Sequence, residues 1–223
     1  MKAVILAKSA ERLIPNKNYR PFYKDSSLVD ILISKLLKVL PKEDIYLSCE
    51  DEAYKSVSDK WGIHFLHRDK GLVDYNVSNV DVVAHVCKSV PYEDAILWCT
   101  CVEPFFDEYA ELLECWNNLD KTQYDSLNVV YPMKKYMLDQ GHNPIGFGFG
   151  HWHKYSQTVP PLYQISWATV ILSRECIEKV SYLVGRNPYW YDSYSPIIDI
   201  DTLDDFKFAG LAYKAYIENC DTQ

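Results

Sequence analysis

The chain has no long apolar run near its start. Ala3 to Ala7 is a stretch of five apolar residues, against about 20 for a membrane-spanning helix and roughly 7–15 for the core of a secretory signal. Neither a membrane partner nor export is therefore expected, and a cytoplasmic protein is. Glycine is absent between Lys8 and Asn18, which excludes the Gly-rich phosphate cradle of a P-loop from that segment. Cations are in the minority, 23 Lys and Arg against 31 Asp and Glu for a formal net charge of -8. An extended nucleic-acid surface needs many Lys and Arg contacts to phosphate, so nucleic acid is excluded as a partner, whereas a local cationic loop can still hold a small anion. The seven cysteines are odd in number, and Cys99 and Cys101 have no second pair nearby. Free buried thiols are expected rather than a disulfide framework or a zinc site. No linker, repeat or low-complexity tract divides the chain, which reads as one domain over residues 1–223 with an insertion.

What is present is alternation. Ala3 to Ala7 has strand length, and Leu28, Ile31, Leu32, Leu36 and Val39 fall at helical spacing over residues 27–40, with Ser26 or Ser27 as N-cap. Strands follow at 44–49, 63–66 and 95–99, with helices at 51–61, 77–86 and 105–116 between and after them. That order predicts an α/β fold with a mainly parallel sheet and ligands at the carboxyl ends of strands. Past Ser126 the rhythm breaks. Residues 127–131 and 166–172 read as strands, and 133–161, rich in Gly, Pro, His and aromatics, reads as an insertion for acceptor or dimer contacts. Pattern returns with a short helix after Ser173, a strand at 196–200 and a closing helix over 202–216.

Two segments carry the chemistry. The loop after the first strand holds Lys8, Arg12 and Lys17, the charges needed to bind a triphosphate and steady a departing pyrophosphate, although a solvated surface loop has the same composition. Near the other end, the strand at 196–200 runs into the pair Asp199 and Asp201. A turn there lets both carboxylates approach one hard cation such as Mg²⁺, while Asp201 as the N-cap of the closing helix is the competing reading. The HWH of 151–153 puts two imidazoles on one strand face with no carboxylate beside them, and GFGFG at 146–150 reads as a strand without the setting of a dinucleotide fingerprint. Cys101 has no nameable activating His and reads as a buried thiol.

AVILAKSAERLIPNKN resembles the N-terminal signature of the acylneuraminate cytidylyltransferase family, the CMP-sialic acid synthetases. Lys8 stands at the family's first Arg and Arg12 at its loop Lys, Pro15, Lys17 and Asn18 match outright, and Ala10 and Leu13 replace the loop glycines. Further matches follow in order. LSCEDE resembles a Ser-Thr-Asp strand end, with Glu50 at the acidic place, and FLHRDKGLVDYNVSNVDVVAHV resembles the segment that lies near the cytidine. CTCVEP stands where Gln-Pro-Thr-Ser-Pro is usual, keeping Pro104, and VPPLYQISWATVIL keeps Pro160, Tyr163 and Ala168 but has Gln164 at an Arg position. IIDIDTLDDF closely matches Asp-Ile-Asp-Thr-x-x-Asp-Leu.

The resemblance implies a Rossmann-like, three-layer α/β/α nucleotidyltransferase fold of glycosyltransferase-A type. It implies a cytidylyltransferase that moves CMP from CTP to a small anionic acceptor, a nonulosonic acid such as a sialic acid, for surface glycan assembly. A phosphonate or other small acid as acceptor, and an inactive binding protein of the same fold, are the alternatives. By the same carry-over Lys8, Arg12, Lys17 and Asn18 are catalytic, and Leu6, Ala7, Lys8, Ser9, Arg12, Lys17, Arg68, Ser78 and Asn79 bind the nucleotide. Thr100, Cys101, Tyr163 and Gln164 face the acceptor, Asp199 and Asp201 hold Mg²⁺, and the chain forms a homodimer.

Overall fold

Ala3, Val4 and Ile5 are all sealed from solvent, which a strand permits only when both faces of its sheet are covered. Ala3 and Ile5 pack into one apolar cluster with Leu28, Ile33, Leu112 and Ala209. Val4, pointing the other way, joins Val82, Val86, Cys176 and Ile177 in a second. The computed structural model describes residues 1–74 and 76–220, with the side chain of residue 220 left out. It is a three-layer α/β/α domain whose sheet separates these two cores.

The strands are β1 (Lys2–Leu6), β2 (Pro21–Tyr23), β3 (Ser26–Ser27), β4 (Ile45–Cys49), β5 (His64–His67), β6 (Ala95–Thr100), β7 (Ser126–Met133), β8 (Leu162–Ser173) and β9 (Pro188–Asp192). The helices are α1 (Leu28–Leu36), α2 (Lys55–Trp61), α3 (Asn79–Lys88), α4 (Tyr109–Asn118), α5 (Arg174–Lys179) and α6 (Leu203–Cys220). Seven strands form the main sheet in the order β5-β4-β1-β6-β8-β7-β9. Only β8 runs against its neighbours; β1 pairs parallel with both β4 and β6. The order reverses between β1 and β6, the switch point at which crossovers diverge and leave a crevice beyond the strand ends. Among the described residues no helix is long and apolar enough to cross a membrane.

Local chemistry explains the boundaries. Ser27 caps α1 in a reciprocal box, its Oγ accepting from Asp30 N at 3.1 Å while Asp30 Oδ2 accepts from Ser27 N at 3.0 Å. Gly62 ends α2 in the left-handed region at φ 68°, where a Cβ is disfavoured.

Several expectations need correction. Residues 196–200 are not a strand: β9 takes the sheet edge beside β7. The chain leaves that edge because Glu108 accepts from Ser193 Oγ, Ser195 N and Ser195 Oγ at 2.7, 3.0 and 2.6 Å, which turns it across the strand ends. β8 starts at Leu162 rather than at 166, and the β2–β3 hairpin was not expected. GFGFG is not a strand, since Gly146 and Gly150 adopt φ of 77° and 70°. The HWH stretch lies in a 3-10 turn, Gly150–Trp152, so its imidazoles do not share a strand face. The cysteines whose side chains are described are free thiols.

Candidate active site

A cleft of about 290 Å³ opens at the switch point, lined by Leu6, Lys8, Asn18, Arg68, Asn79, Thr100 and Cys101 among others. The ends of β1, β5 and β6 and the first turn of α3 thus bring four of the nine expected nucleotide residues, Leu6, Lys8, Arg68 and Asn79, to one place. Ala7 lies beneath, buried at the end of β1, and Lys8 pairs with Glu11 at 3.8 Å. Arg12 is exposed on the same loop. Ser78 is committed to capping α3, its Oγ accepting from Val80 N at 3.2 Å.

Two residues expected to touch phosphate make internal bonds instead. Asn18 Nδ2 donates to Lys8 O at 3.0 Å, so it holds the backbone of the neighbouring cation. Lys17 is buried, and its Nζ donates to Ile200 O at 2.7 Å. Ile200 N in turn donates to Val102 O at 2.9 Å. The peptide groups around Ile200 are therefore gripped by the loop after β1 on one side and the loop after β6 on the other, and Asp199 and Asp201 flank the grip.

The acid pair holds one unmet buried oxygen. Asp199 Oδ1 is buried with no hydrogen-bond partner, a costly state for a carboxylate unless something else meets it. Burial first, then the charges of Asp201 and Glu103, push the Asp199 carboxyl up to about 6 against the opposing pull of Lys17. Asp201 is exposed and is not the helix cap. That place belongs to Thr202, whose Oγ1 accepts from Asp205 N at 3.2 Å while Asp205 Oδ2 accepts from Thr202 N at 2.7 Å. Among the described residues no group of three or more His, Cys, Asp or Glu side chains could hold a metal. Two carboxylates with hard oxygens nevertheless fit Mg²⁺, which completes its shell with water and substrate phosphates.

Of the residues expected to face an acceptor, Thr100 donates from Oγ1 to Trp167 O at 2.6 Å, tying β6 to β8. Cys101 is buried where it meets the cleft, and burial pushes its thiol far above the ordinary value, which disfavours the reactive thiolate. Tyr163 is exposed and Gln164 half-buried opposite Tyr131. A neighbouring cavity of about 280 Å³ shares Leu6, Asn79 and Thr100 with the cleft and adds Trp98, Trp167 and Tyr182. Trp98 Nε1 and, in the cleft itself, Arg68 Nε are buried donors without partners.

Sequence reasoning missed one residue here. Glu103 is buried and accepts from Tyr131 OH and Ser166 Oγ, both at 2.8 Å, and from Trp167 N at 3.1 Å. It locks the loop after β6 to β7 and β8. Its signal was available: a lone acid between Val102 and Pro104 in an apolar stretch needs partners if buried.

No family model matches the chain. Over 229 residues, 97% of this chain and 97% of the relative, it is 23% identical to the pseudaminic acid cytidylyltransferase of Campylobacter jejuni subsp. jejuni serotype O:2. Among solved structures it is similar to a CMP:2-keto-3-deoxy-manno-octonic acid synthetase complexed with CTP, with a TM-score of 0.67, 12% identity and coverage of 97% of this chain and 100% of the other. A cytidylyltransferase from Leptospira borgpetersenii serovar Hardjo-bovis matches with a TM-score of 0.61 and 12% identity over 94% and 84% of the two chains. A 4-diphosphocytidyl-2C-methyl-D-erythritol synthase from Anaerococcus prevotii gives 0.60 and 13% over 96% and 95%. The fold is that of these α/β nucleotidyltransferase structures, and the likeness to the pseudaminic acid cytidylyltransferase covers 97% of the chain.

Proposed function

We propose that this chain is a cytidylyltransferase that transfers CMP from CTP to a small anionic acceptor, a nonulosonic acid, with release of pyrophosphate. An acceptor oxygen forms a bond to the α-phosphorus as the bond to the pyrophosphate oxygen breaks, and no covalent enzyme intermediate is needed. The observation that carries the reading is the joining of the two terminal segments: Lys17 of the cationic loop grips Ile200 between Asp199 and Asp201.

In this reading Lys8 and Arg12 neutralise the leaving pyrophosphate, and Asn18 serves by fixing the Lys8 carbonyl. Lys17 acts at one remove, by positioning the acid pair. Arg68 and Asn79 line the nucleoside part of the cleft, where the unpartnered Arg68 Nε offers a donor to the base. Asp199 and Asp201 would hold Mg²⁺, which supplies charge neutralisation to the phosphates when bound. The acceptor would be met from Thr100, which lines the cavity beside Trp98 and Trp167, with Cys101, Tyr163 and Gln164 assigned to the same side by the family resemblance. A homodimer through the insertion completes the proposal, since Phe149, Trp152 and Tyr155 are 64, 80 and 79% exposed.

The test is pyrophosphate release with Mg²⁺, crossing four nucleoside triphosphates with sialic-type acids, 2-keto-3-deoxy-octonic acid and phosphonates. Turnover with CTP and a sialic-type acid is expected. Turnover confined to phosphonates would overturn the acceptor assignment, and Mg²⁺-dependent CTP binding without turnover on any acceptor would make the chain a binding protein.

A further inference from the structure

The loop that carries Lys8 and Arg12 contains no glycine, yet it must turn sharply away from β1. Its shape is imposed from outside. Glu50, the residue after β4, is 3% exposed, and its Oε1 accepts from Ser9 N at 2.8 Å, Ser9 Oγ at 2.9 Å and Ala10 N at 2.9 Å. Its other oxygen, Oε2, faces Arg68 Nη2 at 3.5 Å and Cys49 Sγ at 3.7 Å. Arg68, the residue after β5, is itself 2% exposed.

Ser9, Glu50 and Arg68 follow the ends of three adjacent parallel strands, β1, β4 and β5. Ala7 N donates to Ser48 O at 3.1 Å and Arg68 N to Cys49 O at 2.9 Å, which holds those ends in register beyond the strands proper. A rigid row therefore runs from Arg68, in the nucleotide cleft, through Glu50 to the Ser9 and Ala10 amides beside Lys8. Burying a carboxylate is unfavourable, and burial alone raises the Glu50 carboxyl. The amide and hydroxyl bonds outweigh that and hold it below its usual value.

We propose that Glu50 is a positioning residue for the triphosphate: an internal anion that occupies the Ser9 and Ala10 amides, shapes the glycine-free loop and so aims the Lys8 and Arg12 side chains at the phosphates. A consequence is that these two amides are not offered to the nucleotide. Phosphate recognition then falls to side-chain cations rather than to a backbone cradle. The inference rests on the CTP reading for its ligand, but Glu50's hold on the loop is measurable without any nucleotide.

The experiment uses the full chain as wild type, Glu50→Ala and Glu50→Gln. Amide exchange at Ser9 and Ala10 is followed without nucleotide, and CTP and CMP affinities are measured by calorimetry with Mg²⁺. In Glu50→Ala both amides are expected to exchange at least about tenfold faster, and CTP affinity to fall about tenfold while CMP affinity changes by less than about threefold. Glu50→Gln, which keeps an oxygen for the amides, is expected to recover most of both losses. Equal weakening of CTP and CMP would overturn the proposal, because it would place the effect at the base through Arg68 or in the fold. Unchanged exchange or tighter CTP binding would overturn it too, the latter making Glu50 a competitor of the phosphates. If Glu50→Ala does not fold, Glu50→Asp, whose carboxylate stops one methylene short, takes its place under the same criteria. A wild-type chain that binds neither nucleotide sinks the CTP reading, while the exchange arm still decides whether Glu50 holds the loop.

Discussion

Lys17 Nζ donates to the backbone oxygen of Ile200 at 2.7 Å, a bond between residues 183 positions apart in the chain. Lys17 is 6% exposed and Ile200 is sealed, so the bond is shielded from bulk water.

Cutting that bond is expected to damage stability and turnover together. Lys17→Met leaves the Ile200 carbonyl without its charged donor, at a cost of about 2 kcal/mol. It also frees the segment carrying Asp199 and Asp201. Urea unfolding should show the loss of stability, and pyrophosphate release should fall at least about 100-fold in protein that is still folded. Turnover within about threefold of wild type would remove Lys17 from the site.

Asp199→Asn should separate folding from function in the opposite sense. Burial and the neighbouring charges of Asp201 and Glu103 disfavour the Asp199 carboxylate, so the neutral isostere is expected to raise stability by about 1 kcal/mol when no Mg²⁺ is added. The same change should lower pyrophosphate release by about two orders of magnitude or more. Thermal melts with and without Mg²⁺ check the first half: the cation should stabilise wild type and leave Asp199→Asn unmoved.

Acid stability should depend on the α1 cap. Burial raises the Asp30 carboxyl, but bonds from Lys60, Ser27 and Trp61 outweigh it and hold it at about 2, below the ordinary 3.8. A depressed carboxyl contributes stability that is complete above the unfolded value of 3.8 and is lost as pH falls through the folded value of about 2. The contribution is about 2 kcal/mol. Unfolding free energies of wild type and Asp30→Asn should therefore differ at pH 6 and converge as the pH drops toward 2; a constant gap would contradict this assignment.

The insertion should be an interface between copies. Trp152 and Tyr155 are each about four-fifths exposed, at 80 and 79%, and large aromatic anchors of this kind carry much of an interface's energy. Sedimentation should give a dimer at micromolar concentration, with a shift toward monomer in Trp152→Ser combined with Tyr155→Ser. A monomeric wild type would remove the interface.

Much of this molecule could be read before its structure. Ala3 to Ala7, the helical spacing from Leu28 to Val39 and the alternation up to Trp116 declare an α/β fold, because strand and helix periods are local properties of a chain. The cationic loop and the Asp199–Asp201 pair were likewise visible as residue types in motif order. The course of residues 188–200 was not, since Tyr189 to Tyr191 and Ile197 to Ile200 are both strand-like. Glu108, far away in sequence, decides between them by gathering Ser193 and Ser195.

The sequence by itself thus determined the layered fold and the chemical inventory of the site. Tertiary structure alone decided what each charge does. Lys17 bonds to a backbone carbonyl, Glu50 to two backbone amides, and Glu103 to a strand amide and two hydroxyls. Backbone groups are identical at nearly every residue and carry no sequence signature, so a buried charge that pairs with them looks, in the sequence, like any solvated Lys or Glu.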